Sequence, residues 1–487
     1  ADPVGAEGGG MSPLDAHWAV ADLAEPVHLM GIGGAGMCAL AEALVRAGLT
    51  VTGCDLVESD ATRRLGALGV TVSVGHSPSH AEGVGTLVMT SAVASHHPEV
   101  EAARRGGATV MKRAEALGRW VAQGRVIGVA GTHGKTTTTA MTAAVLAEAD
   151  LDPTAFVGGR VSSWGGNLRA GAADLFVVEA DEYDRSFHAL SPDVAVVTNV
   201  EADHLDIYGS ETGVREGFLE FLDGLRPNGR VVLCADDPGA ASLATSVGSA
   251  ALTYGLSAGS QLRGEAVRVE PGRMVCTVVE EGRVLGDLTV MVPGVHHLRN
   301  ALAATAAARC LGVPFEAIRA GLASFPGVSR RFERLGTVHG VTVIDDYAHH
   351  PTEVSATLAA ARAAFPDHRL VAVFQPHLYS RTEAFSGAFG TALAAADVVW
   401  VTDVYPAREA PIPGVTGQLV ADAVGGADDG AVHYVGVLDE VVPRIVGTLV
   451  EGDLVVTLGA GSIEHVGPAI LEELARSGTR LGESIHA

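Results

Sequence analysis

The sequence predicts an α/β protein of three domains built on mostly parallel sheets, and three observations indicate this fold. The chain has 487 residues, and at about 150 residues per domain that length corresponds to about three domains. Hydrophobic residues make up 47% of the chain and Gly contributes 61 residues, a composition typical of a folded core with many strand-to-helix turns. Short β-branched runs alternate with Ala- and Leu-rich stretches, as in strands joined by crossover helices.

The predicted strands fall into three blocks, which we place in domains 11–122, 123–326 and 327–487. The breaks in pattern lie near Gln123 and near Gly327. Residues before Met11 are left out, since they have neither the charged nor the apolar region of a signal peptide. The strands are Val27–Met30, Val51–Gly53 and Thr86–Met89 in the first block; Val126–Ala130, Leu175–Val178, Val194–Thr198 and Val231–Cys234 in the second; and Val341–Ile344, Leu370–Phe374, Val398–Val401 and Leu454–Thr457 in the third.

Charge and composition exclude several classes of function. With 33 Lys and Arg against 57 Asp and Glu, the net charge is −24, which argues against binding to nucleic acid or to an anionic membrane. No apolar run reaches the roughly 18 residues of a membrane span. The five Cys include no C-x-x-C pair, so neither a zinc finger nor a disulfide scaffold is indicated and a reducing, cytoplasmic location is expected. Lys112 and Lys135 are the only lysines.

Polar clusters directly follow the predicted strands in all three blocks. Ligands of open parallel sheets bind at the carboxyl ends of the strands, so this placement indicates an enzyme with sites on every domain. The clusters begin at Gly31, Gly131, Glu179, Asn199, Asp345, Gln375 and Gly459.

The first glycine motif is Gly31-x-Gly33-x-x-Gly36, followed by Asp55 at the end of the next strand. Such glycines let a turn approach a pyrophosphate, and the following helix supplies N–H donors. Alone, the motif indicates dinucleotide binding or only a tight turn.

The second motif, Gly131-Thr-His-Gly-Lys135-Thr136-Thr137, is more specific. Its backbone N–H groups can cradle phosphates, Lys135 can reach the β- and γ-phosphates, and the Thr136 hydroxyl can bind Mg²⁺. Val129 occupies the position of the first Gly in the usual pattern, so the loop is a variant.

Two acidic turns of the second block can contribute to a metal site. Glu179 ends a strand, where its carboxylate can hold a metal beside the phosphate loop; a solvated acidic turn explains the same residues. His204 lies in Glu201-Ala-Asp-His-Leu-Asp206, but Mg²⁺ prefers oxygen, so residue type alone does not favour His204 as a ligand.

The third block combines an acidic pair, two adjacent histidines and an arginine, in Asp345-Asp-Tyr-Ala-His-His350 and His377-Leu-Tyr-Ser-Arg381. These side chains can bind a polar substrate or serve as caps and core hydrogen bonds, because Pro351 suits the first turn of a helix. Arg330 and Arg331 are either solvated charges or a phosphate clamp.

Taken together, the motifs resemble the Mur ligase family of ATP-dependent amide-forming enzymes. The resemblance runs from about Val27 to about Ser462, through GIGGAGM, GTHGKTTTT, EADEYDRSF, TNVEADHLDIYG, PGVHHLRNALAA, RRFE, DDYAHHPTE, FQPHLYSRT and LGAGS. It implies Rossmann-like first and third domains around a central P-loop-type ATPase. The first would bind a UDP-sugar, the second ATP, and the third would close over both and carry the amino acid.

The resemblance also implies a role for each motif residue. Gly31, Gly33, Gly34 and Gly36 would face the UDP pyrophosphate, with Asp55, His76 and Ser91 near the UDP-sugar. Gly131, Thr132, His133, Gly134, Lys135, Thr136 and Thr137 would hold ATP; Thr136 and Glu179 would bind one Mg²⁺ and His204 a second. His296 and Asn300 would flank the adenine, Asp345 the ribose and Arg331 the terminal phosphate, while Tyr347, His350, His377 and Arg381 would lie near the amino acid.

The implied reaction joins L-alanine to the lactyl carboxylate of UDP-N-acetylmuramate through an acyl phosphate, with Lys135, His204 and Arg331 as the catalytic groups. ATP and two Mg²⁺ ions, replaceable by Mn²⁺, are the expected cofactors, and a monomer or weak homodimer is the expected state. The absence of any lysine after Lys135 fits the alanine-adding subgroup, because several relatives carry a carbamoylated lysine near the second metal. His97 and His297 stand where family members commonly have Asn.

Three alternatives remain at this point. The nearest is the recycling ligase that attaches a tripeptide to the same nucleotide sugar. A nicotinamide-dependent oxidoreductase would explain Gly31–Gly36 and Asp55 but leaves Lys135 and Glu179 without a role. A non-catalytic nucleotide-binding regulator would not need the metal and third-domain residues.

Overall fold

The computed structural model describes residues 23–90, 92–407, 409–425 and 431–484. The chain separates into two compact units. The first contains the described residues up to Arg160 together with Trp164–Thr253 and Ala303–Ile318. The second contains Val161–Ser163, Tyr254–Leu302 and the described residues from Arg319 onward.

The first sheet has five parallel strands in the order β3-β2-β1-β4-β5. Its register pairs Val27 with Val51 and with Thr86, so the ends of β1, β2 and β4 lie side by side. The strands are β1 (Val27–Met30), β2 (Val51–Asp55), β3 (Thr71–Val74), β4 (Thr86–Met89) and β5 (Thr109–Lys112), and the helices are α1 (Ala35–Arg46), α2 (Asp60–Ala67), α3 (Pro98–Arg105) and α4 (Arg113–Val121).

The second sheet has ten strands in the order β15-β14-β13-β12-β11-β10-β6-β9-β7-β8. The pairs of β6 with β9 and β10 are parallel, whereas β13, β14 and β15 form an antiparallel meander. The strands are β6 (Arg125–Ala130), β7 (Pro153–Val161), β8 (Gly166–Arg169), β9 (Ala172–Glu179), β10 (Val194–Val197), β11 (Arg230–Cys234), β12 (Ala251–Gly255), β13 (Leu262–Glu270), β14 (Arg273–Glu280) and β15 (Arg283–Val290). The helices are α5 (Lys135–Glu148), α6 (Leu205–Tyr208), α7 (Glu211–Asp223), α8 (Pro238–Ser242), α9 (Ala244–Val247), α10 (Val295–Cys310) and α11 (Phe315–Ala323).

The third sheet has the order β16-β17-β21-β18-β19-β20, with only the edge strand β16 antiparallel. Consecutive residues of β21 point to opposite faces of the sheet: Val455 and Val456 belong to two different buried clusters. Both faces of this sheet are therefore covered, as expected for parallel strands with crossover helices. The strands are β16 (Glu333–Val338), β17 (Val341–Asp346), β18 (Arg369–Phe374), β19 (Val398–Thr402), β20 (Val432–Val435) and β21 (Asp453–Leu458), and the helices are α12 (Pro351–Ala364), α13 (Tyr379–Leu393), α14 (Gln418–Val424), α15 (Val441–Val446) and α16 (Val466–Ser484).

The predicted α/β class and mostly parallel sheets are confirmed. All eleven predicted strands are present within a few residues of the expected bounds. Across the described ranges of the chain, no helix is both long and apolar enough to cross a membrane.

Candidate active site

The turn between β6 and α5 can adopt its shape only with glycine at two positions. Gly131 has φ of 136°, and a Cβ there would lie 2.0 Å from the Thr198 hydroxyl oxygen. Gly134 has φ of 80° at the N-cap of α5. Both values lie in the region that L side chains rarely adopt. The loop therefore brings backbone N–H groups of a helix N-terminus to one point, as anion binding requires.

Lys135 begins α5 and folds back over this loop. Its Nζ donates to Gly131 O at 2.7 Å and to Thr132 O at 3.2 Å, and it lies 2.7 Å from Glu182 Oε2. Burial alone would lower the pKa of this ammonium, but the nearby carboxylates of Glu182 and Asp181 outweigh burial and raise it. Lys135 therefore stays a cation directly beside the phosphate-binding turn.

Two oxygen groups meet next to Lys135. The Thr136 hydroxyl donates to Glu179 Oε1 at 2.9 Å, and the other Glu179 oxygen accepts from Gly158 N at 2.5 Å. Burial raises the pKa of the Glu179 carboxyl, which means that its charge lacks full compensation from the protein. A hydroxyl and a carboxylate of this kind fit Mg²⁺, which takes oxygen ligands and usually shares them with substrate phosphates.

His204 lies near the same acidic turn, in the left-handed conformation with φ of 52°. Its Nε2 is 3.8 Å from Glu182 Oε1, and its ring packs edge-on against Tyr183 at 5.3 Å between centroids. Burial raises the pKa of Glu182 to about 7, although the Lys135 ammonium acts in the opposite direction. His204 and Lys135 thus share one buried carboxylate.

The remaining residues of the loop are held by β10 and its following turn. Thr132 N donates to Asn199 O at 3.2 Å, and His133 N donates to Asn199 Oδ1 at 2.7 Å. The Thr132 hydroxyl accepts from Glu201 N at 2.9 Å, and Thr137 is buried in the first turn of α5. These hydrogen bonds hold the loop in place against β10 and its following turn.

The first glycine turn joins β1 to α1 and is built differently. Gly31 has φ of 72°, Gly34 is the N-cap of α1 and Gly36 lies in its first turn. Asp55, at the end of β2, accepts from Gly33 N at 2.8 Å. A carboxylate of the protein therefore already uses one of the N–H groups of this turn.

Arg113 supplies a cation to this turn, and sequence reasoning missed it. A Cβ added at Gly36 would lie 3.0 Å from the Arg113 guanidinium carbon. Arg113 also lines a small cavity together with Glu179 and Asp181. It begins α4, far along the chain from Gly36, so only the folded structure reveals the pairing.

His76 lies 3.1 Å from the Sγ atom of Cys54, whose carbonyl accepts from Gly31 N of the first glycine turn, and 3.2 Å from Glu99 Oε2. Its ring also packs edge-on against His97, whose Nδ1 accepts from Glu99 N at the start of α3. Ser91, predicted to lie near the UDP-sugar, is outside the described residues.

In the second unit, Arg331 and Tyr347 lie together with Arg330 and Asp345. Both guanidinium groups lie 5.1 Å from the centre of the Tyr347 ring, and Arg331 NH1 is 3.5 Å from Glu353 Oε1. Asp345 is 2% exposed and accepts from Arg330 Nε at 2.8 Å and from the Thr457 hydroxyl at 2.6 Å. Asp345 thus already has partners within the protein, and its ribose contact stays a prediction.

The predicted amino-acid group gathers around His349, a residue the sequence analysis did not select. The His377 ring lies 5.7 Å from that of His349 and 5.8 Å from that of Tyr405. Arg381 is buried in the first turn of α13, and its charge helps to lower the pKa of His349, which burial chiefly brings to about 3. His350 precedes Pro351 at the start of α12, so it also serves as the helix cap that the sequence allowed.

His296 and Asn300 lie one turn apart on α10. Burial lowers the pKa of His296 to about 4 and that of His297 further below its usual range. Both nitrogens of His297 are buried without a hydrogen-bond partner, and the two rings are 4.0 Å apart. Neutral rings of this kind can pack against a flat aromatic ligand, while His297 occupies interior space.

Glu182 is a third residue of the candidate site, after Arg113 and His349, that the sequence analysis did not select. It stands three residues after Glu179 in the same turn, and its contact with Lys135 depends on the turn bending back toward α5. The spacing of the two glutamates was a usable signal, but it does not specify which of them faces the lysine.

Comparisons with known proteins identify the family. Three family models match in order: the Mur ligase family catalytic domain at residues 26–125, the Mur ligase middle domain at 129–308 and the Mur ligase glutamate ligase domain at 330–461. The UDP-N-acetylmuramate–L-alanine ligase of Salinibacter ruber is 46% identical over 93% of this chain and 95% of its own length. That of Saccharopolyspora erythraea is 46% identical over 94% and 95%.

Solved structures give the same result. The UDP-N-acetylmuramate–alanine ligase of Thermotoga maritima has a TM-score of 0.78 at 30% identity, covering 93% of this chain and 99% of that one. A murein peptide ligase of Psychrobacter arcticus has a TM-score of 0.67 at 25% identity, with coverage of 92% and 98%. The chain belongs to the Mur ligase family.

Proposed function

We propose that this protein joins L-alanine to the lactyl carboxylate of UDP-N-acetylmuramate with cleavage of ATP to ADP and phosphate. The observation that carries the proposal is the 46% identity to curated ligases of that name over more than nine-tenths of both chains. The site has the required chemistry, because Lys135 and Thr136 lie at a phosphate-binding turn beside Glu179.

The reaction needs two steps because a carboxylate is a poor acylating agent. In the first, a lactyl carboxylate oxygen attacks the γ-phosphorus of ATP, giving an acyl phosphate and releasing ADP. In the second, the amine of L-alanine attacks the acyl carbon, loses a proton, and the tetrahedral intermediate expels phosphate. Both steps build negative charge on oxygen, and preorganised cations and N–H dipoles lower such barriers.

We assign the charge stabilisation to the phosphate-binding residues that the resemblance implies. Lys135 and the N–H groups from Gly131 to Thr137 bind the ATP phosphates, and Arg331 meets the terminal phosphate. Thr136 and Glu179 would hold one Mg²⁺, and His204 would help to hold a second, with Mn²⁺ as a substitute. These ions would supply positive charge to the phosphate oxygens, which a chain of net charge −24 would otherwise repel.

We assign the remaining residues to substrate binding. Gly31, Gly33, Gly34, Gly36, Asp55, His76 and Ser91 bind the UDP-sugar; His296, Asn300 and Asp345 bind the nucleoside of ATP; Tyr347, His350, His377 and Arg381 bind L-alanine. The domains are 11–122, 123–326 and 327–487. The protein acts in the cytoplasm as a monomer or weak homodimer, without nucleic acid or membrane.

Phosphate release tests the proposal. The assay contains ATP, Mg²⁺ and UDP-N-acetylmuramate, with L-alanine added, withheld or replaced by the murein tripeptide. Sustained release that needs both the nucleotide sugar and L-alanine is the expected result. Release with the tripeptide alone would reassign the protein as the recycling ligase, and no release with either amine would contradict ligase activity.

A further inference from the structure

Four metal-binding side chains meet in the interior of the first sheet, away from the phosphate loop. His28 lies on β1, Cys54 on β2, His80 in the short turn Pro78–Ala81 and Glu99 in the first turn of α3. One potential ligand atom from each lies within 4.8 Å of all the others. We call these four residues the His–Cys–Glu cluster.

Glu99 is at the centre of the cluster. Its Oε1 lies 3.1 Å from His28 Nε2, 3.3 Å from Cys54 Sγ and 3.3 Å from His80 Nδ1. Glu99 and Cys54 have no exposed surface and His28 is 2% exposed. Four tetrahedral ligands of a zinc ion lie about 3.3–3.6 Å from one another. The three separations from Glu99 Oε1 are close to these values, and the other three are within 4.8 Å.

Hydrogen bonds within the protein do not satisfy the cluster. His80 Nδ1 and Glu99 Oε2 are buried, and neither makes a hydrogen bond. Their nearest polar contacts are Glu99 Oε1, 3.3 Å from His80 Nδ1, and His76 Nδ1, 3.2 Å from Glu99 Oε2, and these are ion pairs only when the histidines carry a proton. Buried polar atoms without a hydrogen bond are rare because their desolvation is not compensated. A cation that accepts electron pairs from nitrogen, sulfur and oxygen together would remove this deficit.

We propose that the His–Cys–Glu cluster is a binding site for one Zn²⁺ ion, with His28 Nε2, Cys54 Sγ, His80 Nδ1 and a Glu99 oxygen as its ligands. Two imidazoles, a thiolate and a carboxylate are the ligand types of four-coordinate zinc. Mg²⁺ is a poor match because it prefers oxygen. The thiol proton passes to solvent on binding, and the two anionic ligands then balance the charge of the ion.

Neighbouring side chains orient two of the ligands. His28 Nδ1 is 2.8 Å from the Thr52 hydroxyl, so a proton on Nδ1 leaves the lone pair of Nε2 directed toward the cluster. His76 Nδ1 lies 3.1 Å from Cys54 Sγ and can donate to the sulfur. Such outer partners fix the tautomer and orientation of ligands in metal sites.

The ion would brace the first glycine turn. The Cys54 carbonyl accepts from Gly31 N at 2.8 Å and from Ile32 N at 3.1 Å, and the next residue, Asp55, holds Gly33 N. Fixing Cys54 therefore fixes three N–H groups of that turn. This consequence for UDP-sugar binding rests on the proposed function, whereas metal binding itself does not.

The test measures metal content and spectrum of the full chain in the absence of ATP and nucleotide sugar. The protein is stripped with a chelator, reloaded with Zn²⁺ or Co²⁺, desalted and measured by plasma mass spectrometry. We expect one equivalent of Zn²⁺ per chain. With Co²⁺ we expect a thiolate-to-metal charge-transfer band. This band appears only with a cysteine ligand, so it can be tested on the wild-type protein without any variant.

Matched variants locate the site. Cys54→Ser should abolish the Co²⁺ band, whereas Cys276→Ser, another buried cysteine, should keep it. His80→Asn should weaken Zn²⁺ binding at least tenfold, whereas His339→Asn should not; His80 is partly exposed, so its replacement tests binding without removing a fully buried ring. Circular dichroism checks that each variant is folded.

Two results would overturn the proposal. One is wild-type protein that retains no Zn²⁺ and shows no Co²⁺ band. The other is a folded Cys54→Ser protein that keeps the band. Since the assay contains no ATP or nucleotide sugar, neither result depends on whether the ligase activity is present.

Discussion

The two glycine turns of the first unit follow the same plan but obtain their positive charge in different ways. The turn at Gly131 has its own cation, since Lys135 begins the helix that the turn opens. The turn at Gly31 has no lysine, and Arg113 reaches it from α4.

The buried carboxyl groups close to the two turns also differ. Near the first turn the pKa of Glu99 is lowered: burial alone would raise it, but hydrogen bonds with His28 and Cys54 outweigh burial. Near the second turn, burial raises the pKa of Glu179 and that of Glu182.

This difference shows what a glycine motif can and cannot indicate. Both turns present N–H groups at a helix N-terminus, which is enough to bind a phosphate. Only the second places a lysine and oxygen ligands within hydrogen-bond distance of that point, as phosphoryl transfer needs. We therefore expect the second turn to be catalytic and the first to serve binding alone.

The largest expected effect is at Lys135. Lys135→Ala should lower turnover by about 10²–10³-fold, because one lost transition-state donor costs about 2.7–4 kcal/mol. The measurement is phosphate release at saturating substrates. Lys112→Ala is the matched control, since that half-exposed lysine pairs with Asp184 outside the loop and surface pairs contribute little. Near-normal turnover of Lys135→Ala would remove the distinction between the turns.

The two turns also differ in their tolerance of a methyl group. Gly131→Ala should destabilise the nucleotide-binding conformation by about 1–3 kcal/mol, since its backbone would be strained and its Cβ would clash with Thr198. Gly34→Ala should stay within about 0.5 kcal/mol, because its nearest neighbour is 3.4 Å away and its φ is −63°. Calorimetric titration with an ATP analogue and thermal unfolding measure both. Equal losses would contradict the comparison.

The pair His296 and His297 sharpens the comparison, because burial lowers the pKa of both rings and leaves them uncharged. Its depressed pKa values mean that the unfolded chain takes up protons first as pH falls below about 6.5. The free energy of unfolding that these neutral rings contribute above pH 6.5 is therefore lost as the pH falls toward 4. His297→Asn should make the loss of stability between pH 7.5 and pH 5 smaller, because it removes one of the two rings with a lowered pKa. Urea unfolding at pH 7.5 and 5 measures it, with His339→Asn as control; an unchanged pH slope would contradict the assignment.

The smallest expected effect is at Arg113. Arg113→Ala should raise the KM for UDP-N-acetylmuramate about tenfold with little change in kcat, because a charge-assisted contact contributes about 1.5 kcal/mol. Arg119→Ala, exposed on the same helix, is the control. A fall in kcat with unchanged KM would instead place Arg113 at the reacting groups, consistent with its position beside Glu179 in the cavity.

The sequence was most informative where strands are buried on both faces. Val194–Val197 is a continuous apolar run and Leu454–Thr457 is apolar up to its last residue, and such runs identify parallel strands. The meander β13–β15 was not predicted, because strands such as Leu262–Glu270 carry charged residues on an exposed face and no apolar run. The short edge strand Thr71–Val74 was missed because its sequence, TVSV, has no continuous apolar run.

The candidate site could also be predicted only in part from the sequence. Lys135, Thr136 and Glu179 could be predicted, because local motifs place them at strand ends. Arg113 could not, since its partner Gly36 lies on another helix. The His–Cys–Glu cluster is a stronger case, because its ligands come from four elements and the absence of a C-x-x-C pair argues only against sites made from adjacent cysteines.

The contacts of Lys135 have a consequence for how nucleotide is admitted. An ammonium has three donors, and here Gly131 O, Thr132 O and Glu182 accept from all three. Phosphate binding is therefore an exchange of acceptors rather than the filling of a vacant donor. A lone phosphate or sulfate ion must compete with Glu182 for this cation, whereas a nucleotide also gains contacts elsewhere. The resting ion pair thus screens against small anions and favours the ligand that offers the most additional contacts.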